Sequence, residues 1–152
     1  MKRSTKFAGA LAAAAAAPVV AIGTAEAATD TVFFSVGSTH CAIFGNGAVG
    51  CNFASPVQLS YYVGNVYVPM PMAVSEMVID QPWLPAHPTF DPVRRYTLAG
   101  GNPSIYHVQT GSSQWGPIIE HAGASCQIGY RGSFSCGTMG QGFASYGGII
   151  VA

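Results

Sequence analysis

The sequence predicts an all-β protein: a small single-domain barrel or sandwich with two disulfide-bridged hairpins, crossed on one side by a long Pro-rich loop. Three observations carry that prediction. Two cysteine pairs, Cys41…Cys51 and Cys126…Cys136, share one spacing, and the stretches they enclose match: Ile43 aligns with Ile128, Gly47 with Gly132 and Val49 with Phe134. Short runs rich in Val, Ile, Phe, Thr and Tyr recur along the chain and are punctuated by Gly, Asn and Pro. Six prolines gather between residues 69 and 92, where they argue against a regular sheet.

The first element is a leader. Lys2, Arg3 and Lys6 form a positive start, Ala8 to Val20 is apolar, and Ala25-Glu-Ala27 supplies the small residues a signal peptidase reads. The expectation is a signal peptide over 1–27 and a secreted β-domain over 28–152. The apolar run is rich in Ala and broken by Pro18 and Gly23, so it is a poor membrane anchor. No stable membrane span is expected after processing.

Thr31–Val36 opens the domain as a β-rich run, and the first cysteine hairpin follows. If Gly45-Asn-Gly47 is a three-residue loop with Gly47 left-handed, Phe44 opposes Ala48 and Cys41 opposes Cys51. The second hairpin counts the same way: Gly129 opposes Ser133 across Tyr130-Arg-Gly132, and Cys126 lands opposite Cys136. Of the three pairings that four cysteines allow, 41–51 and 126–136 are therefore favoured over both crossed alternatives. Directly opposed strand residues meet the distance a disulfide needs, and each bridge closes a short loop worth about 2–3 kcal/mol. A metal site is the rival reading, but zinc ribbons prefer closer pairs. The outer face of the first hairpin carries Ala42, Phe44, Ala48 and Gly50, against Gln127, Gly129, Ser133 and Ser135 on the second. The first should be covered on both sides and the second wet on one.

Between the hairpins, Val57–Val63 and Asn65–Val68 read as strands separated by Gly64. The stretch 69–95 reads as a long ordered loop, with a short helical turn around Ala73–Ile79 on the spacing of Met72, Glu76 and Ile79. Tyr96–Leu98, Ser104–Gln109, Gly116–His121 and Gly148–Val151 are further short strands. Gly100-Gly-Asn-Pro103 and Gly111-Ser-Ser113 are turns.

The two ends of the domain resemble a known family. Val32-Phe-Phe-Ser-Val-Gly-Ser-Thr-His-Cys41, running on to Val49-Gly-Cys51, is similar to the small secreted actinobacterial domain of unknown function whose first motif reads F-x-S-P-S-G-N-I-x-C…V-x-C. Gly132-Ser-Phe-Ser-Cys136 followed by Gly140-Gln-Gly-Phe143 resembles its closing G-x-x-C…G-H-G-F motif. The match covers the ends and not the Pro-rich middle. Val36-Gly-Ser-Thr39 replaces P-S-G-N, and Gln141 stands where His is usual. The resemblance implies the fold and export, and no activity.

Charge bounds the partners. Beyond the leader, Arg94, Arg95 and Arg131 face Asp30, Glu76, Asp80, Asp91 and Glu120, a formal charge of −2. No basic stripe exists to neutralise phosphates, so nucleic acid is not an expected partner. His40, His87, His107 and His121 are scattered without metal-binding or catalytic spacing, and no nucleophile elbow is present. No metal, cofactor or catalytic residue is therefore assigned. Asp80 and Asp91 bracket Trp83, His87 and Phe90, a glycosidase-like pair or two turn residues. Arg94-Arg95 offers cations to an anionic ligand or to Asp91. The seven tyrosines, with Trp83 and Trp115, offer stacking surfaces for sugars or plain core and cross-strand filler. The candidate ligand-binding residues are Trp83, His87, Asp91 and Arg94. The expectation is a secreted, non-enzymatic module of the cell envelope or extracellular space that binds an envelope polymer or protein. A protease inhibitor presenting the Pro-rich loop is the alternative, and an extracellular hydrolase using loop carboxylates comes third.

Overall fold

The computed structural model describes residues 30–152; the leader expected over 1–27 lies outside them. The described chain is nearly all β, a single ten-stranded sheet curled into a half-barrel. Its strands are β1 (Val32–Val36), β2 (Thr39–Ile43), β3 (Val49–Val63), β4 (Val66–Ile79), β5 (Gly111–Ser113), β6 (Gly116–His121), β7 (Ala124–Ile128), β8 (Phe134–Thr138), β9 (Gln141–Tyr146) and β10 (Ile149–Val151). A single helical turn, α1 (Ile105–Val108), precedes β5.

The long strand β3 organises the sheet. One of its edges is taken by β4 along most of its length; the other is shared end to end by β2 over residues 49–52 and by β10, in parallel, over residues 58–60. From β10 the sheet continues antiparallel through β9, β8, β7 and β6 to β5. The register of β3 against β4 shifts between Asn52 and Val57, a bulged stretch that contains Pro56. A bulge bends its strand, and here it separates the part of β3 that pairs with β2 from the part that pairs with β10.

The two parts close over one core. Phe34 on β1 meets Phe134 on β8 edge to face, centroids 6.2 Å apart, and Phe134 meets Phe143 on β9 in the same way. Ile43, Val49, Met77, Ile79, Ile119 and Ile150 are fully buried among them. Both disulfides, Cys41–Cys51 and Cys126–Cys136, lie in this interior, each joining directly opposed residues with Cα atoms 4.1 Å apart. The predicted pairing is the observed one. Phe44 N–H donates to Ala48 O and Gly129 N–H to Ser133 O, and Gly47 and Gly132 are both left-handed. The outer faces differ as their composition predicts: Ala42, Ala48 and Gly50 are buried, whereas Gln127 is exposed and Ser133 and Ser135 are half-buried.

Five local expectations are corrected. Residues 69–79 are not loop, and Ala73–Ile79 is not a helical turn, because β4 runs through both. Pro69 and Pro71 are tolerated because around them β4 pairs only with β3, so its other edge there needs no ladder N–H. Val57–Val63 and Asn65–Val68, expected as strands separated by Gly64, do fall in the two arms of one hairpin, with Gly64 and Asn65 in its turn, and the first is continuous with the second strand of the cysteine hairpin. Ser104–Gln109 is a helical turn, with the Ser104 hydroxyl accepting from Tyr106 N–H, and Tyr96–Leu98 is irregular rather than a strand. Gly111–Ser113, expected as a turn, is the edge strand β5.

Two disulfides point to an oxidising setting outside the cytoplasm. Among the described residues no helix is long and apolar enough to cross a membrane.

Candidate functional site

The chain leaves β4 at Ile79 and travels without regular structure until α1. What holds this irregular segment is a set of polar side chains, three of which the sequence does not single out. Asn52 and Glu76 are register partners on β3 and β4, and both are buried. Directly opposed residues project to one face, so the two form a polar pair facing the segment. Glu76 Oε1 accepts from Thr89 N–H at 2.8 Å and Asp91 N–H at 3.3 Å, and from the Thr89 hydroxyl. Asn52 Oδ1 accepts from Tyr96 N–H and the Thr97 hydroxyl, both at 3.2 Å. Asn102 completes the set: its amide nitrogen donates to Phe34 O, Cys41 O and Tyr96 O, and its oxygen accepts from Leu98 N–H.

Further ties come from the other end. His87 exchanges two backbone hydrogen bonds of 2.9 Å with Val78, Tyr61 donates its hydroxyl to Ala86 O, and Gln141 donates its side-chain amide to Pro82 O at 2.8 Å. Gln141 thus staples the segment to β9.

A cleft of about 390 Å³ opens where the segment crosses β3 and β4, lined by Asn52, Phe53, Glu76, Phe90, Asp91 and Arg94 among others. Convergence of the Thr89 and Asp91 amides on Glu76 leaves the intervening Phe90 at φ 58°, a left-handed conformation uncommon for an aromatic residue. Its ring stays 67 % exposed on the cleft rim. Asp91 Oδ1 accepts from Val93 N–H at 2.9 Å, and Arg95 reaches its other oxygen at 2.7 Å. The Val93 amide first, and the Arg95 guanidinium after it, hold the Asp91 carboxyl below its ordinary range. Arg95 therefore answers Asp91, and the Arg94 guanidinium has no ion-pair partner among the described residues. The second carboxylate oxygen of Glu76 is buried without a hydrogen-bond partner.

Of the four candidate residues, Asp91 and Arg94 share this cleft. Trp83 and His87 lie outside it: Trp83 is 75 % exposed in a turn, and His87 Nε2 faces Asp80 at 3.8 Å. His40 accepts from Asn102 N–H, and His121 meets the Asp30 side chain at 3.1 Å. Among the described residues no group of three His, Cys, Asp or Glu side chains is placed to hold a metal ion. The residues missed by sequence reasoning, Asn52, Glu76 and Asn102, carried a faint signal. Glu76 is a carboxylate next to Met77-Val-Ile79 in a chain with few charges, and Asn52 interrupts an apolar strand.

Tyr96 belongs to this segment, with its ring packed on Gly50 and edge-to-face with Phe44. Burial, with the Glu76 carboxylate adding, pushes its phenol up to about 12. An unfolded Tyr titrates near 10, so the unfolded chain loses this proton first as pH rises. The associated stability is complete below pH 10 and is lost between pH 10 and 12, by about 2–3 kcal/mol for a shift of that size. Urea denaturation at pH 9 and pH 11.5 should show this loss in the wild type and a clearly smaller one in Tyr96→Phe. Equal losses in both would sink the assignment.

No protein family, no curated protein and no solved structure matches this chain.

Proposed function

We propose that this is a secreted, non-enzymatic binding module of the cell envelope or extracellular space, and that the cleft over β3 and β4 is where its partner seats. The observation that carries the reading is the pairing of an ion-pair-free guanidinium, Arg94, with the displayed ring of Phe90 on a segment fastened by Glu76, Asn52 and Asn102. An unpaired cation beside an exposed aromatic ring offers a partner one contact for an anionic group and one apolar contact, from a segment whose backbone is already fastened. The two disulfides suit an oxidising compartment, and the likeness of both chain ends to a small secreted actinobacterial domain supports the same setting.

Asp91 is suited to holding rather than to proton donation. Its carboxyl is kept ionised by Val93 N–H and Arg95, the opposite of what a general acid needs near neutral pH. For the inhibitor reading, the exposed Trp83 and Leu84 would be the presented residues, but Pro82-Trp83 forms a turn, not the extended segment that strand-addition recognition uses.

The test is cosedimentation of the purified mature domain with envelope fractions. Arg94→Ala should weaken binding about tenfold, the size of one charge-assisted contact, and Phe90→Gly should weaken it while relieving the left-handed backbone. Full binding by both variants, or no binding by the wild type, would remove the cleft from consideration.

A further inference from the structure

At the far end of the sheet the strand registers line up a second set of groups that the cleft does not use. Extending the β6–β7 register past Ile118↔Gln127 sets Trp115, in the β5–β6 turn, opposite Tyr130 in the loop of the second cysteine hairpin. Extending the β8–β9 register past Phe134↔Ser145 sets Ser133 opposite Tyr146. The result is a row across successive strands, which lie about 4.8 Å apart. Trp115 and Tyr130 touch edge to face with centroids 4.9 Å apart, and the Arg131 guanidinium lies 5.1 Å from the centre of the Tyr130 ring. Tyr130, Arg131, Ser133 and Tyr146 line one shallow depression. Trp115, Tyr130 and Tyr146 are each at least half exposed, far more than the Phe residues of the core.

The backbone of Arg131 sharpens the point. The two hairpin loops differ here: Gly47 is the left-handed residue of the first, whereas both Arg131 (φ 55°) and Gly132 (φ 75°) are left-handed in the second. A left-handed residue is cheapest as Gly or Asn, yet this position holds one of the three arginines beyond the leader. The conformation aims the guanidinium over an aromatic ring at the loop tip, where it is the only charge of the row. The neighbouring outer face of the hairpin supplies Gln127, Ser133 and Ser135, uncharged groups able to hydrogen-bond.

We infer that this row is a binding platform for an acidic polysaccharide, with Trp115, Tyr130 and Tyr146 stacking against sugar rings and Arg131 pairing with a uronate carboxylate. Half-exposed aromatic rings with a polar edge suit the apolar faces of sugars. A planar cation already stacked on an aromatic ring is positioned for a two-point contact with a carboxylate. The single positive charge and the otherwise uncharged surroundings select an acidic polymer over a neutral one. The surface is separate from the Arg94 cleft, so either can fail alone.

Affinity electrophoresis of the full mature domain through gels containing polygalacturonate or alginate, with dextran as the neutral control, reads the platform directly. The acidic polymers should retard the wild type and dextran should not. Arg131→Gly relieves the left-handed backbone, so it should keep or raise the melting temperature while losing about tenfold in affinity. Tyr130→Ala should lose binding too, and Arg94→Ala should retain it. Absence of retardation by either acidic polymer overturns the inference, as does equal retardation by dextran or an Arg131→Gly variant that binds as well as the wild type. A concentration-dependent dimer that Tyr130→Ala abolishes, with no polymer binding, would also overturn it and assign the face to self-association.

Discussion

Asn102→Asp is expected to destabilise the protein by about 3–4 kcal/mol, although it exchanges only an NH₂ for an oxygen. The Asn102 amide nitrogen stands 2.8–3.0 Å from the carbonyl oxygens of Phe34, Cys41 and Tyr96. It has two hydrogens to give, so one is shared. An ionised Asp would set an anionic oxygen against three carbonyls and leave them without their donor, while still accepting from Leu98 N–H. Asn102→Ala removes the same bonds without adding repulsion and should cost less, about 2–3 kcal/mol. The sign with pH separates the two variants. A protonated Asp regains one donor, so Asn102→Asp should recover part of its loss below the carboxyl titration, and Asn102→Ala should not. Urea unfolding at pH 7 and at acidic pH checks this. An Asn102→Asp protein within about 0.5 kcal/mol of wild type would show that Asn102 does not hold the segment.

Gly50→Ala is expected to cost about 2–3 kcal/mol, at the upper end for one added methyl group in a packed site. Gly50 sits in β3 between Ala42 and Val78, and a Cβ there would meet the Tyr96 ring at 2.2 to 2.5 Å. The ring meets Phe44 edge to face and packs in one cluster with Ala42 and Val78, and its own backbone is tied to Asn52 and Asn102. Contacts that short lie well inside van der Waals distance, so the methyl group must displace the Tyr96 ring. A double-mutant cycle tests this: once Tyr96→Ala has emptied the seat, Gly50→Ala should add little. Additive costs would mean that the two positions do not share the space.

The parts of this structure that were legible in the sequence are local. The pairing of Cys41 with Cys51 and of Cys126 with Cys136 follows from loop length and a left-handed Gly, both contained within each hairpin. The wet outer face of the second hairpin follows from strand alternation over the same few residues. Pro69 and Pro71 misled because a proline excludes a strand only where its N–H is needed. Whether β4 had a free edge was a property of the whole sheet. Met72, Glu76 and Ile79 carry a helical spacing that β4 overrides, since Val74, Glu76 and Val78 pair into β3 instead. For the site, Asp91 and Arg94 were legible as charged loop residues. The partner of Asp91 turned out to be Arg95, and Trp83 and His87 lie elsewhere.

What the sequence by itself determined is therefore the set of short-range objects: two stapled hairpins, their registers, the polarity of their faces and an almost uncharged surface. Only the tertiary structure decided that β2 and β10 share one edge of β3, that the sheet curls over a single core, and that Glu76, Asn52 and Asn102 fasten the irregular segment. The physical reason is range. A hairpin's register is set by a loop of a few residues and the two-residue repeat of its strands. A bond such as Asn102 to Phe34, 68 residues apart in the chain, exists only once the sheet has brought both ends together.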